Sequence, residues 1–327
     1  MTIEVIKPGL ATTVQDLGRP GFYDVGIPLS GAMDRFAHRV ANMLVGNPED
    51  AATLECVFMG PELRFGRDGI VSVTGAELPP KLDGAPCPRW EAFAVRAGQV
   101  LSFDYLRAGA RAYVAVSGGI DVPVVLGSRS TYALGALGGL DGRALKAGDR
   151  LAVGAAPGDG VMGVAVPEAL RRGAAAPGVL RMIPGLYDHR VEPESLEGFF
   201  ADTWAVAPEA DRIGYRFRGG TPLAFVDREP PFGAGSDPSN IVDSCYPYGS
   251  IQVPGGKEPI VLHRDAVSGG GYFMIGTVIS ADMDSIGQLQ PHTKTRFRPV
   301  TMDEALAARR ERRETLEAVR RALAVPG

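Results

Sequence analysis

Cysteine is scarce in this chain. Its three thiols, Cys56, Cys87 and Cys245, lie far apart with no CxxC spacing, which disfavours a disulfide framework and a zinc site alike. Histidine is nearly as sparse, and His38, His189, His263 and His292 form no HExxH or HxH pattern, so no metal site is expected. No Walker sequence ending in GK[ST] occurs. "GALGGLDG" has the glycines but neither the lysine nor a strand-to-helix setting, so direct ATP chemistry by this chain alone is not expected. A GxSxG nucleophile elbow is missing too. There is no basic excess: a formal net charge of -4 argues against nucleic acid as a partner. No apolar run approaches the ~18 residues that span a bilayer. The opening "MTIEVIKPGLATTVQD" lacks the uninterrupted apolar core of a secretory signal. A cytoplasmic protein with neither membrane nor nucleic acid as partner is expected.

What the chain does have is enough apolar content to bury a core: 45% of residues are hydrophobic. Its 327 residues exceed the usual single-core limit, so two domains are expected. Glycine (43) and proline (26) are abundant, and they separate short β-branched runs, which points to a mostly antiparallel β architecture. "TIEVIK" alternates with period two and stops at Pro8-Gly9. "DRFAHRVANML" has helical spacing, with Asp34 as N-cap and Gly46-Asn47-Pro48 as stop. "ATLECVF", "IVSVTGA", "EAFAVRAG", "QVLSFDYL" and "RAYVAVSGG" follow as strands, in the rhythm of a sandwich or barrel. Residues 154–178, rich in Ala, Gly and Pro, are the best linker. A second β unit then runs from "VLRMIPG" to "KTRFRPV". The tail "TMDEALAARRERRETLEAVRRALAV" reads as one long helix, with Thr301 and Glu304 as a capping box and an Arg-rich solvated face.

Two glycine-rich clusters stand out. "VLGSRSTYALGALGG" packs Ser128, Arg129, Ser130, Thr131 and Tyr132 between glycines, open to reading as a phosphate cradle, a substrate-facing loop or a plain turn. "VLHRDAVSGGGY" sets His263, Arg264, Asp265, Ser268 and Tyr272 around three glycines directly after a strand. Burying such groups without partners costs about 1–3 kcal/mol each, which favours a functional reading. "AVSGG" (Ala115–Gly119) and "AVSGGG" (Ala266–Gly271) read either as backbone N–H nests for an oxyanion or as tight turns without a ligand.

At the level of longer blocks the chain resembles a known family. "TTVQDLGRPGFYDVGIPLSGAMDRFAHRVANMLVGN", "GARAYVAVSGGIDVPVVLGSRSTY", "GGLDGRALKAGDRL", "DRIGYRFRG", "GSIQVPGGKEPIVL" and "GGYFMIGTVISADMDSIGQL" are similar to the allophanate hydrolase subunit 2 family. This is the biotin-dependent carboxyltransferase family, whose members include the C subunit of 5-oxoprolinase and KipA. The resemblance covers about residues 5–298. It implies a mostly β fold of two barrel-like subdomains, the second cyclophilin-like, with a few short helices and a C-terminal helix. The expected divisions are a subdomain A-like unit over 1–165, a subdomain B-like unit over 176–300 and the helix over 301–327.

It further implies a subunit of a biotin-dependent carboxyltransferase or of an ATP-dependent 5-oxoprolinase-type complex, acting on a small amide, lactam or ureido compound. The partner would be a subunit 1 (KipI-like) chain, joined by a biotin carboxylase and carrier or by a LamB/YcsF-type subunit. Biotin would arrive on the separate carrier and ATP would be used by the complex; no cofactor is bound covalently. The alternative is a KipA-type regulatory protein that binds a kinase inhibitor without catalysis. A prolyl isomerase rests on architecture alone. For the site, Asp265, Tyr272 and Ser268 are the expected catalytic groups. Ser128, Arg129, Ser130, Gln252, His263, Arg264, Gly270 and Gly271 are expected to bind substrate, since a guanidinium amid hydroxyls suits a carboxylate or ureido oxygen. The family commonly reads D-x-Q-T-T-G-G-Y where this chain reads "DAVSGGGY". Val267, Ser268 and Gly269 replace a glutamine and two threonines, which puts both urea and 5-oxoproline in question as substrate.

Overall fold

The computed structural model describes residues 2–157, 162–172, 177–229, 232–233 and 235–324. Two units divide the chain: Met1–Arg19, Ser30–Ala175 and Arg313–Gly327 form one, Pro20–Leu29 and Ala176–Arg312 the other.

The first unit is built on two antiparallel sheets. One has seven strands in the order Ile120–Asp121, Arg150–Val153, Thr2–Lys7, Glu62–Phe65, Val100–Phe103, Pro80–Leu82 and Ala85–Pro86. The other orders Thr13–Gln15, Thr53–Val57, Arg111–Val116, Gly69–Gly75 and Ala92–Val95. The alternation of "TIEVIK" sends Ile3 and Val5 inward, where they meet Leu63, Phe65, Leu101 and Leu151 from their own sheet and Leu54, Val71, Val73 and Val114 from the other. One apolar core is therefore shared by both sheets.

Every residue of Arg111–Val116 is buried, because the second face of its sheet is covered by helix α1, Arg35–Leu44. Asp34 caps α1 by accepting a hydrogen bond from the Ala37 amide (2.9 Å), as the sequence predicts. Phe36, Val40 and Leu44 pack against Tyr113 and Ala115, each worth roughly 1.5–3 kcal/mol of apolar burial. Thr74 and Ser72 tie the sheet to the helix by donating to the Ala37 and Ala41 carbonyls (2.7 Å each).

Part of the expected linker, 158–161 and 173–176, lies outside the described residues. The stretch between them is no solvated tether. Val166 is buried with Trp90 and donates its amide to the Trp90 carbonyl, and Ala165 bridges to Glu91.

The second unit is a closed seven-stranded barrel: Val179–Pro184, Met274–Val278, Ser250–Gln252, Ile260–Leu262, Gly214–Arg218, Trp204–Val206 and Lys294–Pro299. It closes by pairing its first strand with its last in parallel, Leu180 opposite Phe297. Inside, Phe297 stacks on Phe199 of helix α2 (Pro193–Ala201) at 5.2 Å and meets Phe217 edge-on at 5.3 Å. Two further strands, Asn240–Cys245 and Gly269–Tyr272, form a separate ribbon. A short helix α3, Met283–Ile286, precedes the last barrel strand. The C-terminal helix α4, Met302–Leu323, starts with the predicted capping box: Glu304 accepts from the Thr301 amide (2.7 Å) and donates its own amide to the Thr301 hydroxyl (3.2 Å). Among the described residues no helix is long and apolar enough to cross a membrane.

Phe297→Ala removes the ring shared by three aromatic neighbours and leaves a cavity. We expect a loss of about 3–5 kcal/mol in urea unfolding followed by circular dichroism. A loss below about 1 kcal/mol would show that the barrel core is not organised around this side chain.

Candidate functional site

In the first unit the cluster around residues 125–139 is organised by a carboxylate that sequence reasoning did not single out. Asp16 follows Thr13–Gln15 and is buried. Its Oδ1 accepts from the Ser128 hydroxyl (2.7 Å), the Ser130 hydroxyl (2.6 Å) and the Gly18 amide (2.7 Å), and its Oδ2 accepts from the Arg129 amide (2.5 Å). Both serines are themselves buried, and the Ser130 hydroxyl also accepts from the Asp16 amide (2.9 Å). The two hydroxyls expected to meet a substrate are thus spent on holding their loop. Arg19 adds a hydrogen bond from its guanidinium to the Ser130 carbonyl. Arg129 differs: its guanidinium donates to the Val122 carbonyl (3.0 Å) and to Asp121 (3.2 Å), and it lines a cleft of about 290 Å³ with Asn47, Gly118, Gly119, Asp121 and Ala155.

Of the two readings of Gly118-Gly119, nest or tight turn, the structure shows the turn. Both residues have positive φ, but the Gly118 amide donates to Asn47 Oδ1 (2.8 Å) and the Gly119 amide to the Val116 carbonyl (2.8 Å). Neither N–H is left for an anion.

The same unit holds a buried polar network between α1 and its sheet. Glu55 accepts from the Met33 amide and the Tyr113 hydroxyl (2.8 Å each). His38 is fully buried. Asn42 Nδ2 donates toward its Nε2 (3.4 Å), so Nδ1 carries the proton and donates to Thr53 Oγ1 (3.0 Å). Burial lowers the His38 pKa from 6.5 to about 4, against the opposing pull of Asp16 and Glu55.

In the second unit the strand Ile260–Leu262 delivers His263, Arg264 and Asp265 in succession. His263 is buried, its Nε2 donating to the Met283 carbonyl (3.1 Å), with the Tyr248 ring edge-on at 5.2 Å. Asp265 is held by Arg212, whose Nε and Nη2 donate to its two oxygens (2.8 and 3.2 Å). Arg264 is only 3% exposed. Its guanidinium lies over the Tyr248 ring at 4.6 Å, and its Nε and Nη2 find no acceptor among the described residues. Tyr23 is close by: burial raises its hydroxyl pKa and the Arg264 charge opposes the rise. The Ser268 hydroxyl donates to the Tyr23 carbonyl (3.2 Å).

Gly269–Gly271 is strand, which is neither the nest nor the tight turn that the sequence left open. The glycines pair with Asn240–Cys245 in extended form, which places Gly270 opposite Ser244. A Cβ on Gly270 would sit 3.1 Å from the Tyr246 ring, and one on Gly271 3.1 Å from the Ile241 carbonyl. Tyr246 donates its hydroxyl to the Tyr272 carbonyl (2.8 Å) and also has Gln252 as a side-chain hydrogen-bond partner. The Tyr272 side chain is half exposed. Gln252, His263, Arg264, Asp265, Ser268, Gly270, Gly271 and Tyr272 all belong to the second unit, and Ser128, Arg129 and Ser130 to the first. Asp16, Arg212 and Tyr248 went unnoticed because only the fold supplies their partners. Among the described residues no three His, Cys, Asp or Glu side chains stand together as metal ligands.

The model of the carboxyltransferase domain, subdomain A and B, matches residues 25–299. The chain belongs to that family. It is 36% identical to the C subunit of 5-oxoprolinase from Escherichia coli over 96% of both chains. It is 35% identical to the urea amidolyase of Lachancea kluyveri over 92% of this chain, but that match covers 17% of the relative, so the chain spans only a part of that protein. The crystal structure of the Kluyveromyces lactis urea carboxylase superimposes with a TM-score of 0.91 at 32% identity, over 100% of this chain and 30% of the other.

The titration of His38 has a defined sign. The unfolded side chain takes its proton near pH 6.5 and the folded one only near pH 4. Stability is therefore full above pH 6.5 and falls as the pH drops toward 4, by about 3 kcal/mol from this residue. His38→Gln should flatten that part of the curve in denaturant titrations between pH 4 and 7. An unchanged slope would mean that other groups set the acid limb.

Proposed function

We propose that this chain is one subunit of a biotin-dependent carboxyltransferase or ATP-dependent 5-oxoprolinase-type assembly. It acts on a small amide, lactam or ureido compound together with a subunit 1 (KipI-like) partner. The reading is supported by the family match and by the similarity to the C subunit of 5-oxoprolinase along 96% of both chains. Within it, 1–165 serves as the subdomain A-like part and 176–300 as the subdomain B-like part.

The observation that carries the chemistry is Arg264. A buried guanidinium with two donors lacking acceptors among the described residues is a costly arrangement for structure alone. Its fork suits a planar carboxylate, carbamate or ureido oxygen, and stacking on Tyr248 fixes the plane of the fork. Biotin, delivered on a carrier, would supply the transferable carboxyl group. This chain would bind, orient and hold charge. Arg212 occupies both oxygens of Asp265, so Asp265 acts by positioning the Arg264–Ser268 turn. The half-exposed Tyr272 hydroxyl is then the group of this cluster placed to exchange a proton.

Co-expression with the subunit 1 chain, its carrier or LamB/YcsF-type partner and a panel of small amides tests the reading. Bicarbonate- or ATP-dependent turnover is expected. Arg264→Gln should lower kcat/KM by about 10²–10³-fold, the usual effect of losing a preorganised donor. Complete assemblies that show no turnover on any amide, together with tight binding to a kinase-inhibitor protein, would establish the regulatory alternative instead.

A further inference from the structure

A second arginine cluster lies in the barrel unit, away from the His263–Asp265 strand end. The short turn Asp188–Arg190 brings the Arg190 guanidinium over the Tyr187 ring at 4.7 Å. The Arg190 carbonyl accepts from the Val226 amide (3.0 Å), which draws the segment 226–228 alongside and sets Arg228 next to Arg190. Arg228 donates from Nη2 to the Asn240 carbonyl (2.6 Å), and the Tyr187 hydroxyl reaches Ser244 Oγ at 3.5 Å. Arg228 thus sits at the first residue of the strand Asn240–Cys245, and Tyr187, which carries Arg190 over its ring, at the fifth.

Adjacent cations normally share a carboxylate, yet among the described residues neither of these does. Asp188 accepts from the His189 amide (2.7 Å), and Asp227 and Glu229, which flank Arg228 in sequence, make no ion pair with either arginine. Arg190 Nη1 is buried without an acceptor among them. Burial and the charge of Arg228 together pull the Arg190 pKa below its ordinary value, opposed only by Tyr187. Four other arginines of the same unit are paired with carboxylates: Arg181 with Asp282, Arg212 with Asp265, and Arg216 and Arg218 with Glu258.

We infer that Arg190 and Arg228, with Tyr187 and Ser244, form a binding site for the carboxylate group of a small molecule. A carboxylate supplies the missing negative charge and the two coplanar acceptors that a guanidinium fork matches. The ring of Tyr187 holds the Arg190 fork in one plane, and Ser244, which accepts from the Tyr187 hydroxyl, keeps its own proton to donate. Guanidinium forks also match phosphate, so the titration compares the two anions directly.

The full chain, without partners, suffices for the test. Acetate, succinate, inorganic phosphate and chloride are titrated by isothermal calorimetry and by NMR of the arginine side-chain N–H signals. Acetate and succinate should bind more tightly than chloride or phosphate and shift the Arg190 signal. Arg190→Gln and Arg228→Gln should each weaken succinate binding at least tenfold, and Arg190→Lys should recover little of it because the fork is lost. Should Arg190→Gln fail to fold, Arg228→Gln and the wild-type arginine signals give the same answer. Carboxylates binding no better than chloride, equal affinity in the Arg228→Gln chain, or a clear preference for phosphate would overturn the assignment. None of these readouts involves amide turnover, so they stand apart from the carboxyl-transfer reading.

Discussion

The first unit depends on a single buried carboxylate. Asp16 gathers two hydroxyls and two amides, and three of these four donors come from residues more than 110 positions later in the chain. Hydrogen bonds to a charged group are worth about 1.5–3 kcal/mol each, and a buried carboxylate deprived of them would cost more than they return. Asp16 therefore fixes the loop 128–130 absolutely, and with it the backbone from which the Arg129 side chain reaches the Asp121 cleft. The hydroxyls give the loop its shape. Only the guanidinium is left for the surface.

Local features were legible in the sequence and distant pairings were not. The alternation in Thr2–Lys7, the Asp34 cap and the Thr301–Glu304 box each depend on residues a few positions apart, and each is present. Closure of the barrel depends on a parallel pairing of Val179–Pro184 with Lys294–Pro299, more than a hundred residues away, which no local pattern encodes. The same limit governs the site. Ser128 and Ser130 look free until Asp16 is beside them, and the bidentate contact of Arg212 with Asp265 shows only in the fold. Glycine adds another ambiguity, since it serves a tight turn and an extended strand equally well. Gly118-Gly119 proves to be a turn with its amides spent, and Gly269–Gly271 a strand.

Pairing separates the structural arginines from those available for chemistry. Arg212 is neutralised by Asp265 within a bidentate contact, so its role is complete inside the fold. Arg264 stacks on a tyrosine and keeps two donors without acceptors among the described residues, and Arg190 does the same with one. Aromatic stacking orients a guanidinium without consuming its N–H groups. That combination of a fixed plane and spare donors is what recognition of a flat anion requires, and it recurs at two places in one barrel.

The departures from the family pattern in "DAVSGGGY" can now be weighed by geometry. Gly270 and Gly271, which agree with the pattern, are the positions where a side chain would press on the Tyr246 ring and the Ile241 carbonyl. Ser268 replaces a threonine yet keeps the hydroxyl, and that hydroxyl donates to Tyr23, a bond either residue makes. Gly269 replaces the second threonine where a Cβ would stand 3.2 Å from the Ser244 carbonyl, so the ribbon here lies closer than a threonine accepts without adjustment. Val267 replaces glutamine and is 58% exposed, which trades an amide for an apolar surface at the mouth of the turn. The fold of the turn is thus preserved by the shared residues, while the lost amide and the closer ribbon alter its exposed chemistry.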